Sequence, residues 1–101
     1  MKFEWDEAKN KQNIKKHGLD FADASELFTG SAPFLVNIDT HHDHGEDRWK
    51  GIGMLQGVLV VVVIFTERDD NATIRVISLR KANVRESKAY EEEIKNRLGA
   101  S

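Results

Sequence analysis

No cysteine occurs among the 101 residues, which excludes disulfides, thiolate nucleophiles and Cys-based zinc or iron–sulfur sites together. The chemistry of this chain therefore falls to His, Arg, Lys and carboxylates. Long apolar runs are missing as well. The longest, Val58 to Phe65, is far short of the ~20 residues that a membrane span needs. The opening stretch MKFEWDEAKN has no continuous apolar core of the signal-peptide kind. Both absences predict a cytoplasmic protein with no membrane contact. An overall basic balance is lacking too: the formal charge is −2, which argues against a protein that coats nucleic acid. No repeat, low-complexity tract or interdomain linker interrupts the chain, and its length suits one domain spanning residues 1–101.

What is present reads as a folded soluble domain, with 40% hydrophobic and 32% charged residues. Charge is distributed unevenly. Residues 21–65 carry a net −4 and residues 66–88 a net +2, so any basic surface is built from the N-terminal segment and the last strand.

Periodicity predicts an α+β order of elements. Met1 to Trp5 alternates as a short strand, and Asp6 is placed to cap a polar helix that Gly18 stops. The main apolar anchors of that helix are Ala8 and Ile14, which leaves Lys9, Asn10, Asn13 and Lys16 exposed or reaching a cleft. Asp20 caps a second helix with Phe21, Ala24, Leu27 and Phe28 on one face, ended by Gly30 and Pro33. A short strand at Phe34–Ile38 precedes the polar stretch Asp39–Asp47. Three strands follow, Arg48–Leu55, Val58–Thr66 and Thr73–Arg80, with turns at Gln56-Gly57 and Asp69–Asn71, so an antiparallel meander is the economical topology. VLVVVVIF is apolar on both faces and needs a cover on each. The last helix supplies the second cover through Tyr90, Ile94 and Leu98, begun by a capping box of Asn83 with Glu86.

Several polar groups are candidates for chemistry. The cluster DTHHDHGEDRW, Asp39–Trp49, offers Asp39, His41, His42 and His44 as metal ligands, although the spacing is not diagnostic and a solvated loop is the plain alternative. Glu46 and Arg48, two apart, share one side of a strand: they form a surface ion pair, or Glu46 accepts a proton while Arg48 binds phosphate. Histidine is the side chain ordinarily suited to proton transfer near neutrality, so His17 is a candidate for acid–base work, but its place before Gly18 also suits a helix cap. Arg75 and Arg80 are five apart, which puts them on opposite faces of a regular strand unless it bends. Arg80, beside Lys81, is expected at a rim with Arg68 of the neighbouring strand, with a solvated edge arginine or a buried partner of Glu86 as the plain alternatives. Guanidinium groups remain charged and grip phosphate oxygens in a fork.

Taken in order, FEWDEAKN at residues 3–10, NIKKHGLDF at 13–21, the Ala24–Phe28 helix, Asp39, GEDRW at 45–49, Gly53, TER at 66–68, IRVISLRKA at 74–82, and Glu86 with Tyr90 resemble the BrnT toxin family. The resemblance implies a fold distantly similar to RelE-type ribonucleases. It also implies a toxin that cuts RNA and inhibits translation, neutralised by a BrnA-type ribbon-helix-helix antitoxin that carries the pair to operator DNA. Metal-free RNA cleavage needs a base for the 2′-hydroxyl, an acid for the leaving oxygen and positive charge at phosphorus. His17, Glu46, Arg48, Arg68 and Arg80 are assigned to that chemistry, and Lys9, Lys16, Arg75 and Lys81 to substrate binding, with no cofactor and no metal. Two other functions fit the same residues: a non-catalytic binding module or co-repressor, and a metal-dependent hydrolase built on the His-rich stretch.

Overall fold

Asp6 begins the first helix of the computed structural model, which describes residues 1–38, 48–68 and 72–99. Its carboxylate accepts from the backbone N–H groups of Ala8 and Lys9 at 2.8 and 3.1 Å, satisfying donors left open at a helix start. Helix α1, Glu7–His17, ends where Gly18 takes φ 72° and donates to the Ile14 carbonyl. Asp20 then caps a 3₁₀ turn, Phe21–Ala24, that runs into α2, Ser25–Thr29. The strands are β1, Lys2–Glu4; β2, Leu35–Ile38; β3, Trp49–Leu55; β4, Leu59–Arg68; and β5, Thr73–Lys81. Helix α3, Val84–Gly99, follows.

The strands form one sheet in the order β1-β5-β4-β3-β2. Strands β2 to β5 pair antiparallel as a meander, and β1 joins β5 in parallel at the far edge. The α+β order read from periodicity is the order found. Strand β4 lies second to none in burial because it is flanked on both sides, and alternation divides its residues between two covered faces. Val61, Val63 and Phe65 point inward with Ile74, Val76 and Leu79 of β5, and the 3₁₀ turn and α2 add Phe21, Ala24 and Leu27 to this core. Phe28 closes it edge-on against Phe34 and Phe65, with centroids 4.9 Å apart in both pairs. Strand β3 contributes Gly51 to this face because a Cβ there would collide with the Phe34 ring.

Val62, Thr66 and Tyr90 are also buried but belong to the outer face, which α3 partly covers. The Tyr90 hydroxyl donates to the Pro33 carbonyl at 2.6 Å, and burial raises its pKa. The capping box forms as expected: Asn83 N–H donates to Glu86 and Glu86 N–H to the Asn83 side chain, at 2.9 and 2.8 Å. Leu98, expected on the buried row with Tyr90 and Ile94, is 81% exposed. Helical spacing says which residues share a face, not how far the surface beneath that face extends.

Helix α1 also departs from expectation. Ala8 is exposed and Ile14 is 41% exposed, whereas Asn10 and Asn13 are buried. Beyond β1, the outer edge of β5 offers unpaired backbone groups, and Asn13 completes them like a strand residue would. Its amide donates to the Leu79 carbonyl at 2.7 Å and to the Leu19 carbonyl at 3.0 Å, and its oxygen accepts from Leu79 N–H at 3.3 Å. Asn10 accepts from Phe21 N–H and donates to Asp20. The Ala22 N–H, the largest cause, and the Asn10 amide hold the Asp20 carboxyl below its usual range.

Candidate functional site

Strand β5 carries an extra residue. Ser78 pairs with Ile64 and Val76 with Phe65, so Ile77 is a β-bulge with no partner of its own. The bulge shifts the alternation by one position. Arg75 pairs with Thr66 and Arg80 with Val62, and because positions 62 and 66 of β4 share a face, so do the two arginines. The irregularity on which a shared site depended is therefore present, and both side chains belong to the outer face.

Lys50 lies on the same face, opposite Ile64. Arg48 directly precedes Trp49, whose partner is Phe65, so one further step of the register sets it opposite Thr66. A row thus crosses the sheet from Arg48 through Thr66 and Arg75 to Glu4, the β1 partner of Arg75. Arg75 Nη1 donates to Glu4 Oε2 at 2.6 Å. Nearer α3, Arg80 grips Glu86 with both terminal nitrogens, at 2.8 and 2.9 Å, and Lys50 Nζ stands 2.9 Å from the same carboxylate. The fork from Arg80 is the main reason that Glu86 is held well below the usual carboxylate range, and Glu86 in turn raises the Arg80 guanidinium.

Arg68 does not meet Arg80, contrary to the expectation of a common rim. In an antiparallel hairpin the end of one strand pairs with the start of the next, and Arg68 faces Thr73 while Arg80 faces Val62. The two rows are six positions apart on β4, about 20 Å along the strand. Lys81 pairs with Val61 and so projects to the opposite side of the sheet from Arg80, at the exposed end of β5. Lys9, Lys16 and His17 come together instead in a groove of about 300 Å³ between α1 and the β5 edge, with Gln12, Asn13 and the bulged Ile77. Ser78 also lines this groove and lies between Arg75 and Arg80 on the outer face, so groove and face adjoin.

Glu46, and the metal reading of Asp39, His41, His42 and His44, lie outside the described residues. Among the described residues no group of three or more His, Cys, Asp or Glu side chains converges as a metal site, and no helix is long and apolar enough to cross a membrane. Lys50, Thr66 and Ser78 were not singled out from sequence. Lys50 had a signal, its spacing of two from Arg48, while Ser78 joins the site only through the bulge.

The pattern of the family described as "Ribonuclease toxin, BrnT, of type II toxin-antitoxin system" matches residues 5–86. Among solved structures, the chain resembles that of the Brucella abortus ribonuclease toxin, BrnT, at 37% identity and a TM-score of 0.62. The alignment covers 82% of this chain and 97% of that one. Comparison with curated protein sequences gives no match.

Proposed function

From the premise that this chain belongs to the BrnT family of ribonuclease toxins of type II toxin-antitoxin systems, we propose that it is a metal-independent endoribonuclease whose substrate lies across the outer face of the sheet. The carrying observation is the convergence of Arg48, Lys50, Arg75 and Arg80 on that one face, produced by strand register and the Ile77 bulge. An array of fixed cations suits a polyanion, and guanidinium groups stabilise charge that develops on phosphorus during cleavage.

In this reading the α1 groove delivers His17 for proton transfer, with Lys9 and Lys16 holding the incoming strand, and Glu46 is the alternative base. Arg68, about 20 Å from the Arg80 row, contacts a different phosphate of the same RNA, and Lys81 acts from the strand end. Use of the 2′-hydroxyl as internal nucleophile restricts the reaction to RNA. The whole of residues 1–101 works as one cytoplasmic toxin domain that inhibits translation, and a BrnA-type ribbon-helix-helix protein neutralises it and links it to operator DNA.

The deciding experiment incubates the purified chain with RNA in excess chelator and, in parallel, induces it in cells with and without the neighbouring reading frame. Cleavage that persists in chelator, with growth arrest relieved by the neighbour, is expected. Folded protein that leaves RNA intact would instead mark a non-catalytic binding module. Activity abolished by chelator and restored by zinc or manganese would move the chemistry to the His-rich stretch.

A further inference from the structure

The groove of about 300 Å³ between α1 and the β5 edge is not uniformly basic. Lys9 and Lys16 put positive charge on its helical wall, but between them stands Gln12, and the strand side offers Ser78 and Ile77. Cations alone serve a phosphate chain. A neutral, partly apolar middle suits a different part of a nucleotide.

Local structure brings these groups together. Residues 9, 12, 13 and 16 recur at helical spacing and so share one face of α1. Asn13, at the centre of that face, is buried with its amide spent on backbone groups of Leu79 and Leu19, so it holds the helix against the strand. Gln12 beside it is exposed, and its amide can donate and accept at once. From the other wall the bulge brings in Ile77, half-buried, as an apolar floor. A nucleobase has the matching parts: a flat face that leaves water readily and an edge of donors beside acceptors.

Ser78 sets the direction of approach. On the outer face it lies opposite Ile64, with Arg80 opposite Val62 to one side and Arg75 opposite Thr66 to the other, steps of about 7 Å along β4. The same serine lines the groove. A strand whose phosphates meet the two arginines therefore passes the mouth of the groove, and a base turned off the face enters it.

We propose that this groove is a nucleobase pocket in which one RNA base lies on Ile77 and presents its edge to Gln12, which makes Gln12 a specificity-determining residue. The proposal rests on the ribonuclease reading above. His17 lines the same groove, so the base belongs to the nucleotide whose 2′-hydroxyl that histidine serves, on the 5′ side of the cut. Lys9 and Lys16 add affinity without preference.

The test uses four short RNAs that differ in one base, each with a 2′-deoxy sugar at that nucleotide so that binding is measured without cleavage. Wild type is expected to favour one of the four by about fivefold or more, the discrimination of a two-bond amide contact. Gln12→Ala, at an exposed helix position, should melt like wild type and bind all four nearly alike. Lys9→Ala should instead weaken all four together, keep their order and lessen the salt dependence of binding. On the all-ribose RNAs, wild type should cleave with the same preference 5′ to the cut, and Gln12→Ala should lose it.

A Gln12→Ala protein that keeps the wild-type order, or that weakens all four equally, would overturn the pocket, as would wild type that binds all four alike. Failure of the ribonuclease reading looks different. Wild type that discriminates through Gln12 yet leaves the all-ribose RNAs intact supports the pocket and defeats that reading, whereas cleavage with no preference 5′ to the cut defeats the pocket alone.

Discussion

Replacing Arg80 by alanine tests structure and chemistry together, because one side chain is asked to do both. The substitution removes two charge-assisted hydrogen bonds to Glu86, whose side chain is 11% exposed, from a guanidinium that is 35% exposed. Breaking a fully buried pair costs about 3–5 kcal/mol, and an exposed pair about 0–1 kcal/mol. Glu86 would keep Lys50 Nζ and the Asn83 N–H, and solvent reaches Arg80, so a loss of about 1–2 kcal/mol is the reasoned value. In a domain of this size that lowers the melting temperature by about 4–16 °C. Cleavage, measured well below the transition so that all variants are folded, should fall about 10²-fold or more if Arg80 stabilises charge on phosphorus.

The second arm removes Glu86 as well. In Arg80→Ala with Glu86→Gln, no charge is left needing the lost partner, so part of the stability should return while cleavage does not. Recovery of both would make Arg80 a structural residue only. An Arg80→Ala protein that melts like the parent would show that the fork to Glu86 contributes nothing, and one that melts early but cleaves normally would remove Arg80 from the site.

Asn13→Ala should cost about 1–3 kcal/mol, seen as a lower denaturant midpoint, because it leaves the Leu79 backbone groups at the β5 edge unpaired; an unchanged midpoint would mean that water completes that edge equally well. Glu86 is held below its ordinary value of 4.5, so its contribution is complete above that pH and disappears as acid protonates the folded protein. Glu86→Gln should accordingly flatten the loss of stability below about pH 4.5, and parallel acid profiles for variant and parent would contradict the assignment. Gly51→Ala should destabilise by about 1–3 kcal/mol through collision with the Phe34 ring, and wild-type melting would show that the ring moves freely.

Much of the architecture was legible because it rests on local chemistry. Asp6 and Gly18 mark the ends of α1, Asn83 with Glu86 marks the start of α3, and the unbroken apolar run of β4 announces a strand covered on two sides. Helical periodicity weighs apolar residues, however, and α1 docks through two asparagines whose partners are backbone groups more than sixty positions away for Asn13. The stretch TIRVISLRK does carry a trace of its bulge, since the core positions Ile74 and Val76 give way to Leu79 out of phase across the adjacent Ile77, and that slip puts Arg75 and Arg80 on one face. The parallel pairing that brings Glu4 to Arg75 is nonlocal and leaves no local trace. The separation of Arg68 from Arg80 is different: hairpin topology alone sets the end of β4 against the start of β5, and so decides it.

A net charge of −2 and a cationic face are compatible because the carboxylates beside that face are already engaged. Glu4 binds Arg75, and Glu86 binds Arg80 and Lys50, so two acids hold three bases. Such pairing lowers the long-range field but restrains long side chains that each carry about 2 kcal/mol of rotamer entropy. The cost of ordering them is then met during folding and not again on binding a phosphate chain. Arg75 and Arg80 are kept on one face by the bulge, and β5, which carries both, is held at its outer edge by Asn13. The same strand thus joins the groove of α1 to the basic face, through Ser78, and the polar face of a helix with few apolar contacts becomes the wall of the site.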